Sequence, residues 1–214
     1  VVFTPDGRML VSEYGGNDRI QAFGADRGFM YQFGRCGTGE GEFLRPQCLA
    51  YDAARDELYV CDSSNHRIQV FTSDGEFRRA IGRPGLGAGE LSYPFGMVLE
   101  IGGRAVDRVG AAVGLGEAGD GAASGTGEGA RRTVVVVEHS NHRLQRLDAH
   151  NGESLGIAGG LGREKGRLKY PWAIEPAGVS ADGRQRYAVC DHGNSRIVFF
   201  TMPRWRGSGA PPAP

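Results

Sequence analysis

The sequence predicts an all-β fold, a β-propeller built from four-stranded antiparallel blades. Three observations support this fold class: a turn motif that recurs four times, a second motif that keeps nearly the same spacing, and short apolar runs separated by turn residues. Glycine is abundant, at 36 of 214 residues, but it follows no three-residue period. A collagen-like chain is therefore excluded.

The first motif places an acidic residue, an asparagine and an arginine ahead of an apolar strand. Its clearest copy runs from Asp62 to Phe71 and reads DSSNHRIQVF. The other copies begin at Glu13, Glu138 and Asp191, and the arginines of successive copies lie 48, 76 and 53 residues apart. A fixed recurrence of this kind is typical of a repeat architecture.

The second motif is rich in glycine, and a proline closes it. It reads GEGEFLRP up to Pro46, GAGELSYP up to Pro94 and GREKGRLKYP up to Pro171. The prolines lie 48 and 77 residues apart, close to the spacing of the arginines. Two independent motifs with one spacing make a chance repeat improbable.

Short strands fill the space between the motifs. In the second repeat they are predicted at 47–51, 58–61, 68–71 and 77–81, each bounded by turn residues. Four short strands in a period of about 40–50 residues are typical of a propeller blade. The predicted blades span residues 1–34, 46–82, 94–159 and 171–202, and the last of them lacks a fourth strand.

The third period is too long because it contains a segment rich in Gly and Ala at residues 103–132. Such a composition buries too little apolar surface to offset the entropy of ordering, so we expect a disordered insertion at the rim of one blade. The tail at 207–214 is predicted to be disordered for the same reason.

Charge and cysteine content exclude several classes of protein. Lys plus Arg equals Asp plus Glu, whereas a dedicated nucleic-acid binder usually has a basic excess. The longest apolar run, 134–137, is far shorter than a membrane span, and no polybasic anchor is present. The four cysteines form no CxxC pair. We therefore expect no membrane partner and favour a cytoplasmic setting.

Together the two motifs and the 48-residue period resemble the NHL repeat. The resemblance covers nearly the whole chain except the insertion and the tail. It implies a propeller that most often has six blades, so the four copies are interpreted as part of a ring whose remaining blades lie in the same full-length chain. A ring of four blades closed on itself is the alternative. We favour the first because a long unpaired strand edge is avoided in natural proteins.

The recurrent polar residues are predicted to be structural. Asparagine tolerates turn geometry, and each acid can form a carboxylate–guanidinium pair with its arginine. A role repeated in every blade indicates architecture, because a catalytic site needs one constellation only. The predicted turn residues are Asp62, Asn65, Arg67, Glu138, Asn141, Arg143, Asp191, Asn194 and Arg196.

One inter-blade loop is a candidate binding site. Basic residues interleaved with aromatic ones are a pattern that holds single-stranded RNA. A solvated loop with two rim aromatics is the alternative, which the zero net charge favours. The candidate residues are Arg163, Lys165, Arg167, Lys169, Tyr170 and Trp172.

His139 and His192 follow the acid in two copies of the first motif and are weak candidates for metal ligands. A zinc site needs three or four ligands, and only two candidates are visible, so no metal and no cofactor is expected. No catalytic residue is assigned.

The resemblance implies an interaction module that binds a protein partner or RNA, as in the substrate-recruiting part of TRIM-type ubiquitin ligases. The RING domain of such a ligase would lie outside this chain. Two alternatives remain: a metal-dependent lyase of the peptidyl-hydroxyglycine amidating type, and a structural propeller within a larger sensor or scaffold protein.

Overall fold

The computed structural model describes residues 1–106 and 129–202, and this part of the chain consists of strands, turns and two short 3-10 turns. Blade 1 contains β1 (Val2–Phe3), β2 (Met9–Glu13), β3 (Arg19–Phe23) and β4 (Phe29–Phe33). A small parallel pair follows, β5 (Arg35–Cys36) and β6 (Glu42–Phe43). Blade 2 contains β7 (Pro46–Asp52), β8 (Glu57–Asp62), β9 (Arg67–Phe71) and β10 (Phe77–Ile81).

The second half repeats this arrangement. Blade 3 contains β11 (Pro94–Ile101), β12 (Arg104–Ala105), β13 (Arg132–Glu138), β14 (Arg143–Asp148) and β15 (Ser154–Gly159). Blade 4 contains β16 (Ile174–Val179), β17 (Gln185–Asp191) and β18 (Arg196–Thr201). Within each blade, consecutive strands pair antiparallel, with β12 added at the edge of blade 3. The predicted all-β propeller class is therefore confirmed. No helix in the described residues is long and apolar enough to cross a membrane.

The apolar core lies between neighbouring blades. Three separate clusters of buried side chains occupy the spaces between blades 1 and 2, blades 2 and 3, and blades 3 and 4. Each sheet therefore buries its faces against the neighbouring sheets. Strands with apolar residues on both faces are in this way shielded from water on both sides. The innermost strands β7, β11 and β16 follow one another along this stack.

The edges of the predicted insertion are ordered, contrary to the expectation for 103–132. Gly102 and Gly103 adopt φ values of +59° and +80°, the geometry of a tight two-residue hairpin turn. This turn brings β12 back onto the end of β11. At the other border Arg132 is buried and lies 2.8 Å from Asp52 of blade 2. Amino-acid composition indicates neither a hairpin nor a buried ion pair, so the predicted borders of the insertion, at 103 and 132, are wrong. The predicted disorder at 107–128 and the tail at 207–214 lie outside the described residues.

The last described strand, β18, has an exposed apolar face. Ile197 and Phe199 are each 60% exposed, whereas Leu144 and Ile68, at the position of Ile197 in blades 3 and 2, are fully buried. In those blades a fourth strand pairs with the equivalent strand. Within the described residues β18 pairs only with β17.

A buried carboxylate ends the second strand of blades 2, 3 and 4. These carboxylate centres, Asp62, Glu138 and Asp191, are fully buried. Each accepts a hydrogen bond from a main-chain N–H of the loop that enters its own blade, those of Leu44, Ser92 and Lys169 at 2.8, 3.1 and 2.7 Å. The loop is therefore attached to the blade before the first strand begins.

The arginine of each motif completes this attachment. The Nε atoms of Arg67, Arg143 and Arg196 lie 2.8, 2.6 and 2.7 Å from the carboxylate centres. Their other nitrogens donate to main-chain carbonyls of the same loop, such as Gly39, Gly87 and Arg163. Each guanidinium therefore joins the turn between two strands to the loop that enters the blade, and the predicted turn pairs do more than brace a turn.

The asparagine and a glutamine add two further links in blade 2. Asn65 donates to both Asp62 and the carbonyl of Gly37. Gln69, which is buried, donates to the carbonyl of Glu42 and accepts from the N–H of Gly41. Blade 3 repeats these contacts through Asn141 and Gln145, and in blade 4 Asn194 makes the asparagine contacts. The side-chain amide nitrogens of these asparagines and glutamines thus each meet a partner in the loop, whereas the Oδ1 atoms of Asn141 and Asn194 are buried without a hydrogen-bond partner among the described residues.

Replacement of Arg143 by Gln should lower the free energy of unfolding by about 3–5 kcal/mol, because Glu138 is left buried without its cation. Burial already raises the pKa of Glu138, and Arg143 acts against that shift. Urea unfolding followed by circular dichroism measures the change.

Arg19→Gln is the matched control. Arg19 and Glu13 form the same pair in blade 1, but both side chains are about 30% exposed. We expect a loss below about 1 kcal/mol there. Equal losses for the two variants would contradict the role given to the buried carboxylate.

Candidate functional site

The three inter-blade loops share one pattern of backbone pairing. Each contains a short parallel pairing: Cys36 with Phe43, Pro84 with Leu91, and Leu161 with Leu168. Each ends on a residue with positive φ immediately before the motif proline, namely Arg45, Tyr93 and Tyr170 at +57°, +49° and +46°. A left-handed conformation at a bulky residue is uncommon and needs support from its surroundings.

The support comes from the preceding blade. The N–H of Tyr93 donates to Nδ1 of His66 at 3.1 Å, and the N–H of Tyr170 donates to Nδ1 of His142 at 3.0 Å. In blade 1 the same place is taken by Asp18, whose carboxylate accepts from the N–H of Arg45 at 2.9 Å. The loop is thus attached to the blade it leaves as well as to the blade it enters.

This double attachment places aromatic side chains side by side. The residue after the motif proline is Gln47 in blade 2, Phe95 in blade 3 and Trp172 in blade 4. The ring centroids of Phe95 and Trp172 lie 5.0 Å apart, although the two residues are 77 positions apart in sequence. The two rings lie at or just before the starts of the first strands of adjacent blades and therefore belong to one surface.

Histidines and tyrosines extend the group. His139 packs on Phe95, Tyr170 and Trp172 at centroid distances of 4.6, 5.1 and 5.9 Å. His192 packs on Trp172 at a centroid distance of 5.3 Å. Offset and edge-to-face packing of this kind stabilises aromatic groups beyond simple burial. We call this group the aromatic surface; it comprises Tyr93, Phe95, His139, Tyr170, Trp172 and His192.

Several members of the aromatic surface face solvent. Tyr93, Tyr170 and Trp172 are 36–42% exposed, and His192 is exposed as well. Large aromatic side chains held in this way present apolar area together with hydrogen-bonding groups at the ring edge. The geometry is suited to contact with another molecule rather than to filling a core.

His66, His139 and His142 favour the neutral form. Burial lowers the pKa of His139, and the neighbouring His142 and His192 lower it further. Burial also lowers the pKa of His142, with an added effect of Lys169. Burial lowers the pKa of His66 too, against an opposing effect of Asp62. Near neutral pH these side chains therefore act as acceptors and flat apolar rings.

The predicted RNA-binding residues fall into two groups. Tyr170 and Trp172 belong to the aromatic surface, and Lys169 precedes them. The other three, Arg163, Lys165 and Arg167, are exposed residues of the loop that enters blade 4. The backbone of that loop is held by Arg196, which donates to the carbonyls of Arg163 and Arg167 at 2.8 and 3.0 Å.

The two predicted metal candidates both pack on Trp172, at centroid distances of 5.9 Å for His139 and 5.3 Å for His192. Among the described residues, no three His, Cys, Asp or Glu side chains are grouped in a way that could hold a metal ion. In the structure, both His139 and His192 serve as rings of the aromatic surface.

Sequence reasoning missed Tyr93 and Phe95 as members of the site. Their signal was present, because they stand at the same motif positions as Tyr170 and Trp172, directly before and after a proline. The acceptor role of His66 and His142 was missed as well. In all three cases the residue directly after the motif asparagine accepts a hydrogen bond from the loop that leads to the next blade, as Asp18 does in blade 1.

Comparison with known proteins agrees with the fold. Residues 43–71 match the model of the NHL repeat. No curated protein matches the chain in sequence. Similar solved structures include a putative phosphatase from Bacteroides thetaiotaomicron (TM-score 0.59, 10% identity, 95% of this chain and 47% of that one). An auxiliary nutrient binding protein from Bacteroides ovatus has a TM-score of 0.59 and 14% identity over 95% of this chain and 47% of that one.

A third similar structure belongs to a nidogen/laminin complex, with a TM-score of 0.54 and 15% identity over 92% of this chain and 56% of that one. At these identities the likeness concerns the fold alone. The chain spans about half the length of the structures it matches.

Acid should destabilise the protein through His66 and His142. Their folded-state pKa values lie below the ordinary value of about 6.5, so the unfolded chain binds more protons. The stabilisation from their neutral rings is complete above about pH 6.5 and is lost as the pH falls below that value. Thermal unfolding at a series of pH values between neutral and mildly acidic should show a falling Tm.

The double variant His66→Asp, His142→Asp replaces both imidazole acceptors by a carboxylate, the acceptor that Asp18 provides in blade 1. We expect its Tm to fall less over the same pH range, with His139 contributing the part of the slope that remains. An identical pH dependence in both proteins would rule out these two acceptors as its source.

Proposed function

Because the chain is a β-propeller that contains an NHL repeat, we propose that it is a protein-binding module that uses the aromatic surface. The observation that carries this proposal is the single group of packed, partly exposed rings contributed by two neighbouring blades and their turns. Tyr and Trp are the residue types most enriched where protein interfaces concentrate their binding energy.

The way the rings are held supports a binding role. Tyr93 and Tyr170 end loops that are attached to two blades, and Phe95 and Trp172 follow them two residues later. These four rings therefore lose little conformational freedom when a partner binds. The partly exposed Tyr170 and Trp172 also carry donors at their edges that can pair with a partner's main chain. A rigid aromatic patch with polar edges is favourable for recognition of a peptide segment.

Recruitment of a substrate to a ubiquitin ligase is the finer form of this proposal. In that arrangement the propeller holds the substrate and the catalytic domains lie outside residues 1–214. The family resemblance supports this role, and the aromatic surface is where the substrate would bind.

Single-stranded RNA is the second candidate ligand. It is favoured by Lys169 next to Tyr170 and Trp172, because bases stack on aromatic rings while cations meet phosphates. Titration with oligouridylate at two salt concentrations tests this candidate, since phosphate contacts make affinity fall steeply with salt.

Selection of short random peptides on the immobilised chain tests the protein-binding proposal. We expect selected peptides to lose affinity by about tenfold or more, which is about 1.4 kcal/mol, when Trp172 or Phe95 is replaced by Gln. Blade 2 carries Gln47 at this position, so the fold accepts the change. Fluorescence anisotropy with labelled peptides gives the affinities.

Phe199→Gln is the control, because Phe199 is an aromatic residue even more exposed than Trp172 and lies on β18, outside the aromatic surface. Its affinities should equal those of the unchanged chain. Selected peptides that bind Trp172→Gln and the unchanged chain equally well would refute the proposal.

A further inference from the structure

The loop that enters blade 4 makes the same main-chain hydrogen bonds as the two other inter-blade loops, although Gly160 has a φ of +108° where Arg35 and Arg83 have no positive φ. Gly37, Gly85 and Gly162 each donate a main-chain hydrogen bond across the parallel pairing, to the carbonyls of Phe43, Leu91 and Leu168, at 3.0–3.1 Å. In each loop the residue before that carbonyl partner donates to a carbonyl three residues earlier, at 3.0–3.3 Å. Position-by-position comparison of the three loops is therefore justified by geometry.

The side chains at equivalent positions differ in charge. Residues 35–44 contain one Arg and two Glu, residues 83–92 one Arg and one Glu, and residues 160–169 four basic residues and Glu164. Their formal charges are therefore −1, 0 and +3. We call residues 160–169 the basic loop.

Within the described residues, the basic loop lacks an ion pair that the other two loops form within themselves, and it carries exposed positive charge instead. In the first loop Glu42 pairs with Arg35, and in the second Glu90 pairs with Arg83, at 2.8 and 3.2 Å. In the basic loop Arg167 stands at the position of these glutamates, and Gly160 stands at the position of the arginines. The main-chain hydrogen bonds that the loops share do not require a cation at the position of Arg167, because the other two loops make them with a glutamate there.

The nearby acids do not neutralise the basic loop. Asp191 is fully buried and already paired with Arg196. Glu164 accepts a hydrogen bond from the main-chain N–H of Arg163. The side chains of Arg163, Lys165, Arg167 and Lys169 belong to exposed residues, and Lys169 adjoins Tyr170 of the aromatic surface.

From this placement we infer that the chain binds an acidic peptide segment: an aromatic or large apolar residue sits on the aromatic surface, and a short cluster of Asp and Glu meets the basic loop. This inference rests on the proposed protein-binding function and specifies its partner. Charge complementarity beside an aromatic anchor gives both affinity and orientation.

A peptide fits the charge distribution better than a nucleic acid does. The positive charge is one loop wide, while the neighbouring loops at 35–44 and 83–92 are acidic or neutral. A polyanionic strand needs cations along its whole track, whereas a few carboxylates need only one loop. The aromatic surface beyond Lys169 is formed by packed aromatic rings, which suits an apolar side chain.

The experiment compares three labelled probes on the full chain by fluorescence anisotropy. They are a peptide with one Trp flanked by Asp and Glu, the same peptide with Asn and Gln in place of the acids, and single-stranded oligouridylate. We expect the acidic peptide to bind best, at least about tenfold more tightly than the amide peptide at low salt, with the advantage shrinking as salt rises.

The variant Lys165→Glu, Arg167→Glu should abolish that advantage. It folds, because the first loop carries Glu40 and Glu42 at these two positions. Arg78→Glu, Arg104→Glu is the control; it changes the net charge equally at two exposed residues of β10 and β12, and it should leave all affinities unchanged. Circular dichroism confirms the fold of each variant.

Trp172→Gln separates this inference from the function on which it rests. If both peptides bind equally and both lose affinity in Trp172→Gln, the acidic preference is wrong and the protein-binding function stands. If neither peptide binds, or if neither responds to Trp172→Gln, the proposed function fails as well. Tighter binding of oligouridylate than of the acidic peptide overturns the inference in favour of RNA.

Discussion

A buried carboxylate that binds the main chain of the incoming loop is the interaction on which the rest of this structure depends. Asp62, Glu138 and Asp191 each sit at the end of a second strand without solvent contact, and each is neutralised by its own arginine. A buried charge of this kind is tolerated only when its partners are in place. Each carboxylate therefore couples the strand and its turn to the incoming loop.

The same constraint shapes the surface that we propose to bind a partner. The loop is attached to the blade it enters through the carboxylate and to the blade it leaves through His66 or His142. A residue held from both sides tolerates a left-handed conformation that it would otherwise avoid. The rings of Tyr93 and Tyr170 consequently occupy fixed places, and Phe95 and Trp172 follow two residues later at the start of the next blade.

Spacing and local pattern were sufficient to predict the propeller class, since motifs that recur with a nearly constant spacing indicate one structural unit repeated along the chain. The acids and arginines of the turns were also visible, because their spacing is local. The contact between Phe95 and Trp172 was not, because it depends on how adjacent blades are oriented. Composition also misplaced the borders of the insertion, where the turn at Gly102 and Gly103 and the buried Arg132 depend on pairing with distant strands.

The most direct test of this account is hydrogen–deuterium exchange, read by mass spectrometry, in the unchanged chain and in Arg196→Gln. Arg196 joins the carboxylate of Asp191 to the carbonyls of Arg163 and Arg167. We predict faster exchange of the amides at 160–170 in the variant, with the amides of β17 unchanged, because the loop loses its attachment while the blade remains folded. Unchanged exchange at 160–170 would contradict the claim that this arginine and its carboxylate hold the loop.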